Sequence, residues 1–487
     1  MTSEVRILAV ASYPARSLMT YPQVVRVYST YQDPDYECPW QSVAPRGSTG
    51  SGVMVAPQRI LTGAHVVANA TFVQVQKQSD PKKVTARVLA ISHDCDLALL
   101  EIVDKTFGRG VKPLVVGDLP KLRDAVQVVG YPIGGEEVSI TEGVVSRIEV
   151  QRYEHSQRHL LAVTVDAAIN EGNSGGPVFA RGKIVGIAFQ ALPDAENVGE
   201  MVPAPIIKKF LDGVKKKKLP DVPGIGISTQ PLENPALRKH LGMKRNQSGV
   251  LITAVQYGSS AWGKFEVGDV LMQLDGHVIA DNGTIRYRSR HRCQFDSLIG
   301  DYHCGDVIKS VVLRGGKSKD VRLEMQQMKW LVPRTEYDRR PMWFLFGGLV
   351  FQRLTAEYLR NWGEHWWDKA PKELLHSYYY GLRRPDQQEV VVLAQVLADA
   401  VNVGYEAFHN DIVLSVNGAR PVGMVDFVNG IDKAKGEVVI KLSSGATVLL
   451  EAEVAREAEE RILTTYHVPG DRSASLSARR RRAKKRS

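Results

Sequence analysis

Short apolar or alternating runs dominate the first 210 residues, and glycines separate them. The clearest of these runs cover residues 52–56, 71–76, 97–102, 125–130 and 183–189. Many short strands with frequent turns and few helical segments are typical of an antiparallel barrel or sandwich. The pattern therefore predicts an all-β first domain.

The pattern changes after residue 204. A helical segment at 205–211 leads into Gly213 and the run Lys215–Lys218, and the prolines at 220 and 223 stop it. A new glycine-rich strand start follows at 224–228. We predict a first domain over residues 22–213 and a linker over 214–223.

A weak internal repeat organises the rest of the chain. Residues 269–276 (DVLMQLDG) recur as residues 411–418 (DIVLSVNG), and both copies end a strand in a tight Asp-Gly or Asn-Gly turn. Two copies of one small α+β module follow, over 224–330 and 335–455. Residues 470–487 are expected to form a disordered basic tail.

Composition narrows the class of protein. With 487 residues, 44% hydrophobic and 24% charged, the chain fits roughly three folded domains. It contains no apolar run long enough to span a membrane, and its start lacks the pattern of a secretory signal, so neither membrane insertion nor secretion is expected. Its four cysteines have no paired spacing, which favours a reducing compartment without disulfides or zinc.

The net charge of +10 is concentrated in Lys215–Lys218 and in residues 479–486. We interpret the lysine run as a solvated linker. The terminal run fits an import signal for the nucleus or nucleolus, with a cytoplasmic protein and an incidental tail as alternatives. Nucleic-acid binding is not expected, because no RRM, KH, zinc-finger or helix-turn-helix signature accompanies the charge.

Three short motifs carry the chemistry of acyl transfer. Ser174 lies in the glycine-rich segment NEGNSGGP (170–177), whose Gly172 and Ser174 N–H groups would bind an oxyanion. His65 ends an apolar strand in RILTGAHVV (59–67), and Asp96 opens another in HDCDLALL (93–100). The order His, Asp, Ser is that of chymotrypsin-like proteases and differs from that of α/β-hydrolases.

Each residue alone has an ordinary interpretation, as a packing histidine, a turn aspartate or a loop serine, and only the combination favours catalysis. His93 could be mistaken for the base, but strand alternation makes it a surface residue. Cys95 would be a nucleophile only if Ser174 were not.

The chain resembles the HtrA/Deg serine proteases over about residues 25–210. The motifs that carry the resemblance are GSGV (50–53), AHVV (64–67), DLA (96–98), GYP (130–132), TEGVVS (141–146) and DAAINEGNSGG (166–176). The resemblance implies a double β-barrel followed by PDZ domains, and the two-PDZ arrangement is most similar to the plant-type Deg branch. It implies an ATP-independent serine endopeptidase acting on unfolded or damaged proteins, with PDZ domains for substrate binding, regulation or assembly.

Further expectations follow from this resemblance. A homotrimer or higher homo-oligomer is implied, with residues 21–40 either supplying the contacts or forming the first barrel strand. No metal, nucleotide or organic cofactor is required. Glu171 replaces the family's usual proline beside the oxyanion hole. The alternative function is a catalytically quiet PDZ chaperone or scaffold.

Specificity and peptide binding are also predicted. Ala168 lies six residues before Ser174, at the base of the expected substrate pocket, and the other expected lining residues are Ile169, Ile187, Ala188 and Phe189. They favour a small or medium apolar side chain before the scissile bond.

In the first PDZ-like domain a peptide carboxylate would meet the loop before Gly249, Val250, Leu251 and Ile252 and add beside that strand, unless the domain only packs against its neighbours. Phe346–Phe351 is the corresponding segment of the second domain. A long insert at 358–385 with three tryptophans favours an interaction or assembly role there.

Overall fold

The computed structural model describes residues 21–78, 80–132, 137–169, 172–191, 198–218, 221–288, 291–334 and 336–477. These residues form two closed six-stranded barrels, two further six-stranded sheets and two two-stranded sheets, with associated helices. The predicted mainly β, double-barrel architecture is confirmed. None of the helices in these ranges is long and apolar enough to cross a membrane.

The first barrel pairs its strands in the order β1-β2-β3-β6-β5-β4. Its strands are β1 (Val24–Tyr31), β2 (Arg46–Ala56), β3 (Arg59–Thr62), β4 (Ala70–Lys77), β5 (Val84–Ser92) and β6 (Leu97–Ile102), with α1 (Ala64–Val67) after β3. Inward apolar side chains such as Val27, Ile60 and Leu100 are fully buried and fill the barrel. Of the two roles left open for residues 21–40, the barrel strand is the one seen in this chain.

The second barrel has the strand order β10-β11-β12-β9-β8-β7. Its strands are β7 (Ala125–Gly130), β8 (Ser139–Arg152), β9 (His159–Val165), β10 (Pro177–Ala180), β11 (Lys183–Ala191) and β12 (Gly199–Pro203), and α2 (Ala204–Lys215) follows. Helix α2 is amphipathic and buries Ile206, Ile207 and Phe210. Both barrels contribute to the cleft between them.

The third region contains a sheet with the strand order β14-β15-β16-β20-β21, in which β17 also pairs with β16. Its elements are β13 (Pro223–Gly224), β14 (Ile227–Pro231), α3 (Pro235–His240), β15 (Val250–Val255), β16 (Val270–Leu274), β17 (His277–Val278), β18 (Thr284–Tyr287), β19 (His291–Gln294), β20 (Val307–Arg314), β21 (Lys317–Glu324) and β22 (Gln326–Gln327), with a 3₁₀ helix at Phe295–Asp301.

The fourth region is a sheet in simple sequential order from β23 to β28. Its elements are β23 (Trp343–Phe346), β24 (Leu349–Arg353), α4 (Ala356–Leu359), α5 (Trp366–Lys369), α6 (Lys372–Tyr380), β25 (Val391–Val396), β26 (Asp411–Val416), α7 (Met424–Lys433), β27 (Glu437–Leu442), β28 (Thr447–Glu451), α8 (Ala452–Glu457) and α9 (Glu459–Thr465), with 3₁₀ helices at Arg360–Trp362 and Ala400–Asn402.

The repeated motif takes the same conformation in both sheets. It forms β16 in one and β26 in the other. The turn residues Asp275 and Gly276 have φ of 48° and 77°, and Asn417 and Gly418 have φ of 48° and 81°. This turn requires two successive residues in the left-handed conformation, which Asp-Gly and Asn-Gly favour. The two dipeptides therefore predicted the turns for a physical reason.

The position of the proposed peptide strand must be corrected. Strand β15, which contains Val250–Ile252, pairs with β14 on one side and with β16 on the other. Both of its edges are therefore occupied, and among the described residues the outer strands of this sheet are β14 and β21. The same correction applies to Phe346–Phe351, because β24 lies between β23 and β25.

The predicted tail also begins too early. Arg472 pairs with Asp432 and lies against the ring of Phe344, and Leu476 is buried in the core of the fourth region. The backbone N–H of Leu345 donates to Asp471 O at 2.7 Å, so residues 471–473 extend the sheet beyond β23. The basic run 479–486 lies outside the described residues.

Candidate active site

The structure brings His65 and Asp96 together in the first barrel. His65 lies in α1, directly after β3, and Asp96 precedes β6 in a left-handed conformation with φ of 54°. Asp96 Oδ2 is 2.6 Å from His65 Nδ1, and Asp96 Oδ1 accepts the backbone N–H of His65 at 2.8 Å. Both carboxylate oxygens thus orient one residue, which leaves Nε2 of His65 as the proton acceptor.

Charge pairing decides the ionisation of these two groups. Burial lowers the pKa of His65, but the charge and hydrogen bond of Asp96 outweigh this effect and raise the pKa above 6.5. Burial raises the pKa of Asp96, but His65 more than compensates and the net pKa is lowered. Asp96 therefore remains a carboxylate that can stabilise an imidazolium.

Ser174 lies in a tight turn of the second barrel. Gly172 and Gly175 flank it with φ of 96° and 80°, a region that favours glycine. A side chain on Gly175 would approach Thr62 Oγ1 to 2.4 Å and Ser51 O to 2.5 Å. The glycines of the GNSGG sequence are thus required because the turn presses against the first barrel.

Ser51 fastens this turn to the first barrel. Its backbone N–H donates to Ser174 O at 2.9 Å and its hydroxyl donates to Gly172 O at 2.7 Å. The same hydroxyl accepts the N–H of Tyr131 at 2.8 Å, and the Thr62 hydroxyl donates to Ser51 O at 2.7 Å. Ser51 is a positioning residue that sequence reasoning missed, although a serine between two glycines in the GSGV motif was the available signal.

The proposed oxyanion donors have no competing acceptor among the described residues. The N–H groups of Gly172 and Ser174 make no backbone hydrogen bond there, whereas those of Gly175 and Gly176 donate to Ala188 O and Asn173 O. Asn170 and Glu171 lie outside the described residues. Two unpaired N–H groups beside a serine hydroxyl are what oxyanion binding requires.

Family models match both halves of the chain. A trypsin-like peptidase domain matches residues 50–187, and a PDZ domain matches residues 332–475. The chain is 38% identical to Protease Do-like 2, chloroplastic, of Arabidopsis thaliana, over 93% of this chain and 75% of that protein. It is 34% identical to Putative protease Do-like 3, mitochondrial, of the same plant, over 93% and 80%.

The chain belongs to the Do-like (HtrA/Deg) family of serine proteases. A variant of the HtrA-type protease AlgW, solved with a decapeptide, shares the fold at a TM-score of 0.50 and 22% identity, covering 63% of this chain and 94% of that one. The predicted family, the plant-type branch and the assignment as a serine endopeptidase are confirmed.

In this Do-like protease the Ser–His contact is not made. Nε2 of His65 is shielded from solvent and has no hydrogen-bond partner among the described residues. Ser174 donates no side-chain hydrogen bond within the same ranges, although its carbonyl oxygen accepts the backbone N–H of Ser51. The two candidate groups are therefore not hydrogen-bonded to each other in this structure.

Most of the residues expected to line the substrate pocket are buried. Ile187 and Ala188 are fully buried, and Ile169 and Phe189 are each 6% exposed. Ala168 is half-buried, and its carbonyl accepts the Thr141 hydroxyl at 3.1 Å. Whether these five residues line the substrate pocket stays a prediction.

His93 is not the surface residue expected from sequence. Its Nδ1 lies 2.9 Å from His155 Nε2 and its Nε2 lies 2.8 Å from Asp338 Oδ2. The ring of Tyr337 is 5.0 Å from that of His93. The sequence could not reveal this environment, because Tyr337 and Asp338 belong to the segment that precedes the last sheet.

Proposed function

We propose that this chain is an ATP-independent endopeptidase that cleaves unfolded or damaged proteins through His65, Asp96 and Ser174. The observation that carries the proposal is the double hydrogen bond that orients His65, together with the turn that holds Ser174 against the same cleft. The alternative, a quiet PDZ scaffold, gives no reason for an ionised Asp96 that uses both oxygens on one histidine.

In the proposed reaction, Ser174 Oγ attacks the scissile carbonyl carbon while Nε2 of His65 accepts its proton. The N–H groups of Gly172 and Ser174 stabilise the developing oxyanion, and Asp96 stabilises the imidazolium. His65 then returns the proton to the leaving amine. Water repeats the sequence on the acyl-enzyme and restores Ser174.

Substrate selection is assigned to two places. Ala168, Ile169, Ile187, Ala188 and Phe189 would accept a small or medium apolar side chain. In the first PDZ-like domain, the free edge of β14 would receive an extended peptide, in place of the strand predicted from sequence. Residues 223–227 line a groove together with residues 157–160 of the protease domain.

Domain organisation and assembly belong to the same proposal. We divide the chain into a protease domain, a linker over 214–223, and PDZ-like domains over 224–330 and from 335 onward. A homotrimer or higher homo-oligomer is the proposed assembly, which sedimentation equilibrium of the full chain would test. A monomer at micromolar concentration would contradict it.

The direct test is degradation of β-casein by the purified chain and its Ser174→Ala variant. We expect cleavage by the chain and none above background by the variant. Ser318→Ala, which changes an exposed serine on β21, is the matched control and should cleave normally. Equal cleavage by all three proteins would contradict the assignment, and folded but inactive chain would favour the scaffold alternative.

A further inference from the structure

A segment at the start of the last domain contacts residues that lie close to His65. We call residues 336–340 the strap. Asp338 Oδ1 accepts the N–H of Asn69 at 2.7 Å, and Asn69 Oδ1 accepts the N–H of Asp338 at 2.6 Å. Asn69 follows the helix that carries His65, and His93, the second partner of Asp338, lies three residues before Asp96. The strap therefore contacts both segments that hold the His–Asp pair.

Tyr337 of the strap packs against two histidine rings close to His65. Its ring stacks on His155 at 4.2 Å with an interplanar angle of 9°, and it lies 5.0 Å from His93. The ring of His155 is 6.2 Å from that of His65. The hydroxyl of Tyr337 accepts a hydrogen bond from Arg360 at 3.1 Å. We call His93 and His155 the histidine cage.

Both rings of the cage are flat and aromatic. Burial is the main cause that lowers the pKa of His155, and together with the charges of His93, His65 and Arg360, against the opposing effect of Asp96, it brings that pKa to about 3. A neutral imidazole stacks on an aromatic ring without the cost of burying its own charge. The cage therefore suits a phenol or phenyl side chain.

Two features separate this contact from ordinary core packing. Part of the strap lies on the surface: the side chain of Asp338 is 39% exposed and its backbone is left-handed, with φ of 60°, whereas Glu336 is buried. In addition, Nε2 of His65 is shielded and unpartnered among the described residues, and the ring of His155, on which Tyr337 stacks, is 6.2 Å from that of His65. A buried polar atom without a partner is costly and is expected where a ligand or a movement will satisfy it.

We propose that His93 and His155 form a substrate subsite for an aromatic side chain near the scissile bond, and that the chain's own Tyr337 occupies it at rest. This inference rests on the proposed protease function. A substrate with a correctly placed tyrosine or phenylalanine displaces Tyr337, and removal of Tyr337 frees the subsite.

Binding tests the inference without catalysis. The probes are two fluorescent peptides of one casein-derived sequence, with tyrosine at one position in the first and alanine in the second. Both are capped at both ends, so that they offer no free carboxylate to a PDZ domain. The probes are measured by anisotropy on Ser174→Ala and on the same variant with Tyr337→Ala. We expect about tenfold tighter binding of the tyrosine peptide when Tyr337 is absent, the effect of one stacked ring and its hydrogen bond.

Three further variants make the result specific. Tyr337→Phe keeps the ring and should bind the tyrosine peptide much as the parent does. Tyr380→Ala removes an exposed tyrosine elsewhere and should change nothing. His155→Ala added to the Tyr337→Ala background should bind both peptides equally, and His93→Ala is the second route if that variant does not fold.

Each outcome decides one question. Unchanged affinity after Tyr337→Ala, or equal affinity for both peptides in that variant, overturns the subsite. Failure of the proposed protease function would show in a separate result, namely casein cleavage that does not depend on Ser174. An active protease in which Tyr337→Ala cleaves the tyrosine peptide faster than the parent supports both.

Discussion

The first barrel presents a His65–Asp96 pair joined through both carboxylate oxygens, whereas the second barrel presents Ser174 on a turn held by its backbone alone. The pair lies within one barrel, because α1 directly follows β3, and β3 pairs with β6, which begins just after Asp96. The turn depends on Ser51 and Tyr131, which lie far from it in sequence. The His65–Asp96 pair is thus fixed by contacts within the first barrel, whereas the position of Ser174 depends on contacts with Ser51 of the other barrel.

The largest effect should come from breaking the first barrel's pair. Asp96→Asn keeps the shape but favours the wrong tautomer of His65, and we expect kcat to fall about 10⁴-fold, as in other Ser–His–Asp enzymes. Initial rates of casein cleavage measure it. Asp320→Asn, on the exposed face of β21, is the control. A loss smaller than tenfold would mean that Asp96 does not orient the base.

A smaller loss should follow from loosening the second barrel's turn. Ser51→Ala removes the hydrogen bonds to Gly172 O and from Tyr131, so we expect kcat to fall about ten- to hundredfold, corresponding to about 1–3 kcal/mol per unsatisfied buried group. The KM should change little. Ser29→Ala removes a buried hydroxyl that has no hydrogen-bond partner among the described residues. Equal effects of both variants would show that Ser51 acts only through stability.

The smallest expected effect is a shift in the pH dependence of kcat/KM, which should differ between variants of the two barrels. His65 must be neutral to accept a proton, and its pKa lies above 6.5, so kcat/KM should fall as the pH drops through a value above 6.5. Without the charge of Asp96, burial alone would lower that pKa, and the acid limb of Asp96→Asn should move to lower pH. Ser51→Ala should leave the limb in place. A limb that does not move in Asp96→Asn would contradict the pairing.

The sequence revealed those features that depend on neighbouring residues. The three catalytic motifs, the barrel strands and the Asp275–Gly276 and Asn417–Gly418 turns are each encoded within a few positions. The family resemblance then ordered them correctly. Such features can be predicted because backbone conformation and alternation are local properties.

Features that depend on distant contacts were missed or misplaced. Asn69 and Asp338 are 269 residues apart, and no pattern indicates that they bond. Strand β15 was assigned the peptide edge because its sequence fits a PDZ strand, but edge or interior position is decided by its neighbours β14 and β16. The packed residues 471–473 look polar in sequence and are ordered by Asp432 and Phe344.

The most direct test of the account is covalent labelling of the full chain with a fluorophosphonate, followed by mass spectrometry of its peptides. We expect one adduct, on Ser174, that forms at least about a hundredfold more slowly in His65→Ala because the base that activates the hydroxyl is gone. An adduct on another residue, or labelling of Ser174 at the same rate in His65→Ala, would contradict the assignment of the catalytic site.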